Sequence, residues 1–277
     1  MPDRLTTVKN IIWAVATGIC ILAVTVGLIS AMTRRYDGEK PEMTLDLGSS
    51  SMQASSEDDG VIMSTDQSAG IQRGELHQLQ PTPDAGDGYQ NSLTFLVDST
   101  FVGLRTKQLV EANQVWATSS GSMPIGKLDS SNILFPNDGS EISPQNAAMI
   151  SKPKILVIGI GTDGLADVDQ NTFVAVYDKL IENILSASPD TQIICMGLCS
   201  VTEDYNGKDL SVNIMSDGND WVKLVCRDTG AWYADVAENL GDGSGGLRAS
   251  YAEANGKSLS GDGLQLVLEY LRTHAAQ

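Results

Sequence analysis

Only two histidines, His77 and His274, and four cysteines, Cys20, Cys195, Cys199 and Cys226, occur in the 277 residues. Four cysteines are too few for a disulfide scaffold, and with so few histidines no zinc signature forms. Basic side chains are also scarce: 18 Lys and Arg stand against 35 Asp and Glu, a formal charge of -17 with histidine neutral. Phosphate affinity needs clustered Lys and Arg, so a nucleic-acid partner is excluded. Nothing in the sequence asks for a metal or an organic cofactor. What is present suits a folded protein, since 42% of residues are apolar and 19% charged, too apolar for a wholly disordered chain.

One long uncharged run stands out, from Ile11 to Met32. As a helix it spans roughly 30 Å, enough to cross a bilayer. A cleaved signal peptide has a shorter apolar region, about 7 to 15 residues, and a small-residue cleavage site. This run instead ends at Arg34 and Arg35, so residues 11–32 are expected to be an uncleaved membrane anchor after a short N-terminus, residues 1–10. Arg4 and Lys9 precede the run, while Arg34, Arg35 and Lys40 lie beyond it. Counting positive charges therefore does not choose its orientation.

Residues 33–90 read as an acidic, flexible linker. Between Pro41 and Gln90 nine carboxylates face Arg73 alone, amid Ser, Gly and Gln. Such a stretch buries too little apolar surface to offset chain entropy. His77 reads as a solvated linker residue, and the apolar Val61, Ile62 and Met63 leave open that part of the segment docks on the domain.

Residues 91–277 carry the folded domain. Leu93 to Val97, Gln114 to Thr118, Lys154 to Ile160, Thr191 to Leu198 and Ala231 to Val236 read as strands. The run KILVIGI has the unbroken apolar character of a strand covered on both faces. Helical spacing marks Phe101 to Ala112, Asn171 to Ala187, Val212 to Arg227 and Leu264 to His274. Strands alternating with helices predict a three-layer α/β/α sandwich on a mostly parallel sheet, flavodoxin-like in outline. Sites in such sheets collect at the carboxyl ends of strands.

The first three strands lead into VDST at Val97 to Thr100, SSGSM at Ser119 to Met123 and GTDG at Gly161 to Gly164; DGLQ at Asp262 to Gln265 precedes the last helix. Singly these are ordinary turn and capping residues. In this order they resemble the blocks of the SGNH, or GDSL-type, hydrolase family, over about Ser92 to Ala275. The resemblance puts Ser99 at the nucleophile and makes Ser99, Gly121 and Asp163 the oxyanion hole. Asp98 and Gly161 match supporting block positions, and Asp262 and Gln265 stand at the Asp-x-x-His dyad.

The departures bear on chemistry. Gln265 occupies the place of the base histidine, and a carboxamide does not accept a proton from a serine hydroxyl. Losing a general base costs about two to four orders of magnitude. Asp163 stands where an asparagine would donate to the oxyanion, a contribution of roughly 3 kcal/mol, and an ionised carboxylate there repels that charge. Val97 adds bulk where the first-block glycine belongs. His274 lies at the end of the last helix, too far along it to substitute as base.

These residues imply a hydrolase-like domain with impaired catalysis, acting as a binding module for an acylated glycan or a small ester ligand. The alternative is an active serine esterase or carbohydrate O-deacetylase with a non-standard base. Relatives of this type act outside the cytoplasm, so the resemblance orients the anchor: a single-pass protein of the cell membrane with its C-terminal domain extracytoplasmic. For an exported domain a Cys199–Cys226 bridge stays open. Trp116, Trp221 and Trp232 read as core anchors.

Overall fold

The computed structural model describes residues 74–276. The expected membrane span, residues 11–32, and residues 33–73 of the expected linker lie outside them. No helix among the described residues is long and apolar enough to cross a membrane.

In chain order the main elements are β1 (His77–Gln78), α1 (Gly86–Gln90), β2 (Leu93–Val97), α2 (Gly103–Thr106), β3 (Val115–Trp116), β4 (Ile133–Leu134), β5 (Glu141–Ile142) and α3 (Pro144–Ser151). Next come β6 (Ile155–Gly159), α4 (Gln170–Ala187), β7 (Gln192–Met196), α5 (Val212–Thr229), β8 (Trp232–Ala234) and α6 (Gly261–Thr273). Six strands form one sheet in the order β1-β8-β7-β6-β2-β3, and every pairing in it is parallel. β4 and β5 form a separate antiparallel pair.

Successive strand residues feed two cores. Leu96, Leu156, Ile158, Ile193 and Cys195 face α3, α4 and α5, while Phe95, Val97, Val157, Ile194 and Met196 face α6 and α2. A parallel sheet covered on both sides needs this continuous apolarity, which is why β6 is buried along its whole length. Side-chain caps set the helix starts: Asp169 accepts from Thr172 N on α4, Ser211 from Ile214 N on α5, and Ser260 from Gly263 N on α6. Gly230, left-handed at φ 77°, ends α5 and turns the chain into β8.

The α/β class and the major strands and helices agree with expectation. Three local differences have physical causes. The helix expected over Phe101 to Ala112 is only the short α2, because Gln108 turns left-handed at φ 57° just beyond it. The Cys199–Cys226 bridge is absent, since Cys199 packs in one core and Cys226 in the other, on opposite faces of the sheet. Trp116 is a core residue as expected, whereas Trp232 is only half-buried and tilts against His77, their ring centroids 5.6 Å apart.

The largest correction concerns the linker, because residues 74–90 are part of the domain. β1 extends the sheet beside β8, pairing His77 with Trp232 and Gln78 with Tyr233. Leu79 N donates to Tyr233 O at 2.9 Å, and Thr82 N and Ala85 N donate to the end of α6. Backbone pairing supplies this attachment, so few apolar side chains are needed and composition alone hides it. Leu79 is 3% exposed. Leu79→Ala should therefore destabilise the domain by about 2 to 4 kcal/mol in urea unfolding; a change within about 0.5 kcal/mol would return the segment to a tether.

Candidate functional site

β2 sits between β3 and β6, and the chain leaving it crosses to β3 on one side before returning to β6 on the other. The order of strands thus reverses at the β2–β6 pair, the place where an open parallel sheet leaves a crevice beyond its carboxyl ends. Register there is in step, Val97 opposite Gly159. The turns leaving the two strands, carrying Ser99 and Asp163, are consequently neighbours.

Asp98 joins those two turns. Its side chain is fully buried, and its Oδ2 accepts from the backbone N–H of Gly161 at 3.1 Å, Thr162 at 3.0 Å and Asp163 at 3.3 Å. Oδ1 accepts from Thr100 N at 2.9 Å. Gly161 is left-handed at φ 127°, and a Cβ there would press on Phe173 and Leu198, so the turn requires glycine. Burial, and then the neighbouring charge of Asp163, push the Asp98 carboxyl up to about 6 against the pull of its backbone donors.

Asp163 is the centre of the site. Its Oδ1 accepts from Ser99 Oγ at 2.6 Å and from Lys257 Nζ at 3.0 Å. Its Oδ2 accepts from Ser122 Oγ at 2.9 Å, Met123 N at 3.0 Å and Ser99 N at 3.2 Å. The side chain is 6% exposed and that of Lys257 22%. Burial alone would raise the acid's pKa, but the Ser99 hydroxyl, the Lys257 charge and the Ser122 hydroxyl outweigh it and hold Asp163 below the usual carboxylate range. The carboxylate is therefore ionised at neutral pH, and two backbone donors, Ser99 N and Met123 N, converge on one of its oxygens.

Ser99 meets a second group from the segment before α6. Ser258 Oγ donates to Ser99 O at 3.1 Å, and Asn255 Nδ2 donates to Ser258 Oγ at 3.0 Å. Leu259 N donates to Thr100 O at 3.2 Å and pins the segment to the turn after β2. Asn255 Oδ1 accepts from Lys257 N and Ser258 N, and Gly256 is left-handed at φ 68°. This tight turn sets Lys257 towards Asp163 and Ser258 towards Ser99.

Of the residues expected at the site, Ser99, Asp163, Asp98 and Gly161 are together. Asp262 and Gln265 are elsewhere, and Gly121 sits beside the site on the turn that carries Ser122 and Met123 without facing it as a donor. Gly121 spends its N–H on Thr118 O at 3.1 Å within its own turn, and Met123 supplies the donor that faces Asp163. Asp262 and Gln265 are exposed on the first turns of α6; Gln265 borders a shallow depression with Gln90, Glu269 and Arg272. The residues beside Ser99 that carry the Asp-x-x-His spacing are Asn255 and Ser258. Sequence reasoning missed them because neither amide nor hydroxyl marks a titratable dyad; the equal spacing seven residues earlier was the available signal. His274 stacks on Tyr270 at 4.0 Å and engages Tyr270 O.

Chemically, the hydroxyl proton of Ser99 points to a carboxylate of depressed basicity, and the two converging N–H groups already hold a negative oxygen. No imidazole contacts Ser99 among the described residues.

No protein-family model and no curated protein matches the chain. Solved structures do. A protein described as lipolytic and of the G-D-S-L family, from Desulfitobacterium hafniense, is similar at 18% identity with a TM-score of 0.45, covering 65% of this chain and 98% of that one. A family 3 carbohydrate esterase from Talaromyces cellulolyticus has 11% identity and a TM-score of 0.43, over 65% and 93% of the two chains. A mutant acetyl-xylooligosaccharide esterase from Geobacillus has 15% identity and a TM-score of 0.42, over 67% and 94%. In fold the chain is similar to these proteins.

The Asp98 carboxyl makes a testable demand on stability. Its pKa is raised in the folded state, to about 6 from 3.8, so its stabilising contribution is complete below the unfolded value and is lost as pH rises through the folded one. Asp98→Asn imitates the protonated acid. Between pH 4 and pH 6 the wild type should lose about 2 kcal/mol relative to Asp98→Asn in urea unfolding; a pH-independent difference would contradict the assignment.

Proposed function

We propose that the chain is a membrane-anchored SGNH/GDSL-like protein whose domain lies outside the cytoplasm, has given up ester hydrolysis and serves as a binding module of the cell envelope. Its ligand class is an acylated glycan or a small ester. The anchor is residues 11–32.

One observation carries the loss of hydrolysis: the Asp163 carboxylate, bonded by five donors, fills the position a developing oxyanion needs. Acyl transfer through Ser99 would drive negative charge against that carboxylate, removing a stabilisation of roughly 3 kcal/mol and adding repulsion. Support also comes from the dyad position, where Ser258 and Asn255 lack a group that accepts a proton near neutral pH.

A second reading, an active esterase with Asp163 as the base, is favoured by the 2.6 Å contact from Ser99 Oγ to Asp163 Oδ1. Against it stands the depressed pKa of that acid, which leaves little drive to take a proton from a hydroxyl.

Hydrolysis of p-nitrophenyl acetate by the wild type should equal that of Ser99→Ala. The triple variant Asp163→Asn, Asn255→Asp, Ser258→His should gain turnover of at least about a hundredfold, abolished by Ser99→Ala. Ser99-dependent hydrolysis in the wild type would favour the second reading and overturn the first.

A further inference from the structure

A cleft of about 740 Å³ opens beyond the carboxyl ends of β7 and β8, between α5 and the glycine-rich loop from Gly241 to Gly246. Ser99, Asp163, Lys257 and Ser258 do not line it. Its volume suits a small organic ligand. Leu198, Met215, Leu240 and Leu247 contribute apolar surface, whereas the polar lining includes Ser200, Asn219, Lys223, Tyr233, Asp235 and Glu238.

Charge in this cleft is unbalanced. Lys223 Nζ lies 3.1 Å from Asp220 Oδ1 and 5.7 Å from the centre of the Tyr233 ring. It also faces Asp235, whose partly buried carboxyl is raised by burial and by Glu238 despite Lys223. One ammonium thus serves Asp220 and Asp235, while Glu238 and Asp242 add two more carboxylates to the lining. Arg248 also lines the cleft, its Nη2 committed to Gly241 O and its guanidinium lying over Tyr251. Asp242 spends one oxygen on Ser244 and Gly246 of its own loop.

Hydrogen-bonding capacity is unspent as well. Ser200 Oγ is buried without a partner, which is costly unless a ligand or water supplies one. Asn219 is committed to Leu198, binding its N–H at 2.7 Å and its carbonyl at 2.8 Å, and so fixes the cleft wall rigidly. An anion would meet the excess of carboxylates and a net charge of -17. A neutral polyol would leave uncompensated the lining's excess of carboxylates, Asp220, Asp235, Glu238 and Asp242 against Lys223 and Arg248.

We propose that this cleft is a binding site for a small hydroxylated amine, the chemistry of an unacetylated amino sugar, with the ligand's ammonium between Asp235 and Glu238 and its hydroxyls towards Ser200. The proposal goes beyond the reading of Ser99 and holds whether or not that serine is inert.

Size-matched probes test it on the full chain: a glucosamine dimer, cellobiose as the neutral dimer and digalacturonate as the anionic one, each titrated by calorimetry. The glucosamine dimer should bind at least tenfold more tightly than cellobiose, and digalacturonate should not bind. Asp235→Asn with Glu238→Gln should weaken the glucosamine dimer at least tenfold while leaving the circular dichroism spectrum unchanged; Ser99→Ala should leave its affinity unchanged. The more conservative Glu238→Gln alone, at an exposed position, should weaken it about threefold and guards against misfolding of the double variant. No binding of the glucosamine dimer at millimolar concentration, equal binding of the neutral dimer, or affinity that is insensitive to both carboxylate variants would overturn the proposal. Loss of binding in Ser99→Ala would assign the ligand to the Ser99 site instead, and would also overturn it.

Discussion

The site depends on a single buried carboxylate that holds two turns together. Parallel pairing of Leu93–Val97 with Ile155–Gly159 ends both strands at one level, but pairing alone does not orient the turns beyond them. Asp98 does so by gathering the N–H groups of Gly161, Thr162 and Asp163 onto one oxygen. Three buried donors that would each cost about 1 to 3 kcal/mol if left unpaired are satisfied at once. The cost is a negative charge held in the core, visible in the raised pKa of Asp98.

That clasp determines the character of the site. The Asp163 side chain is delivered to the end of the turn after β2, where Ser99 N and Met123 N point. An asparagine there would add a donor to the two N–H groups; the aspartate brings an acceptor that consumes them. Lys257 neutralises the charge, and it comes from the same turn that brings Ser258 to Ser99. The changes are thus mutually consistent: a carboxylate where a donor would be, a lysine beside it, and no imidazole that the lysine's charge would oppose. Two charges so little exposed are stable together, and removing one partner leaves the other buried and uncompensated.

Much of this was legible in the sequence where the physics is local. The run KILVIGI has the continuous apolarity of a doubly covered strand, and the 3.6-residue spacing of Phe173, Tyr177, Leu180, Ile181 and Ile184 marks a helix face. The turns bearing Ser99, Asp163, Asp98 and Gly161 stood out because chemistry collects after strands in such sheets, and the resemblance of their order to known hydrolase blocks is what gave these residues their roles. Gln265 was misplaced because Asp262 and Gln265 repeat the dyad spacing, while the N-cap at Ser260 had already committed both to the exposed face of a helix. Asn255 and Ser258 lack titratable groups, so only the fold reveals their place. The edge strand at His77–Gln78 was hidden for a related reason, since its attachment runs through backbone hydrogen bonds that composition does not register.

The central claim is that Asp163 is an ionised, fully engaged carboxylate occupying the centre of the Ser99 site. Carbon-13 detection of the Asp163 carboxyl during a pH titration measures it directly. The account predicts that this group titrates below an ordinary exposed aspartate, and that Lys257→Ala raises its midpoint. A midpoint at or above that of an ordinary exposed aspartate, unmoved by Lys257→Ala, would contradict it.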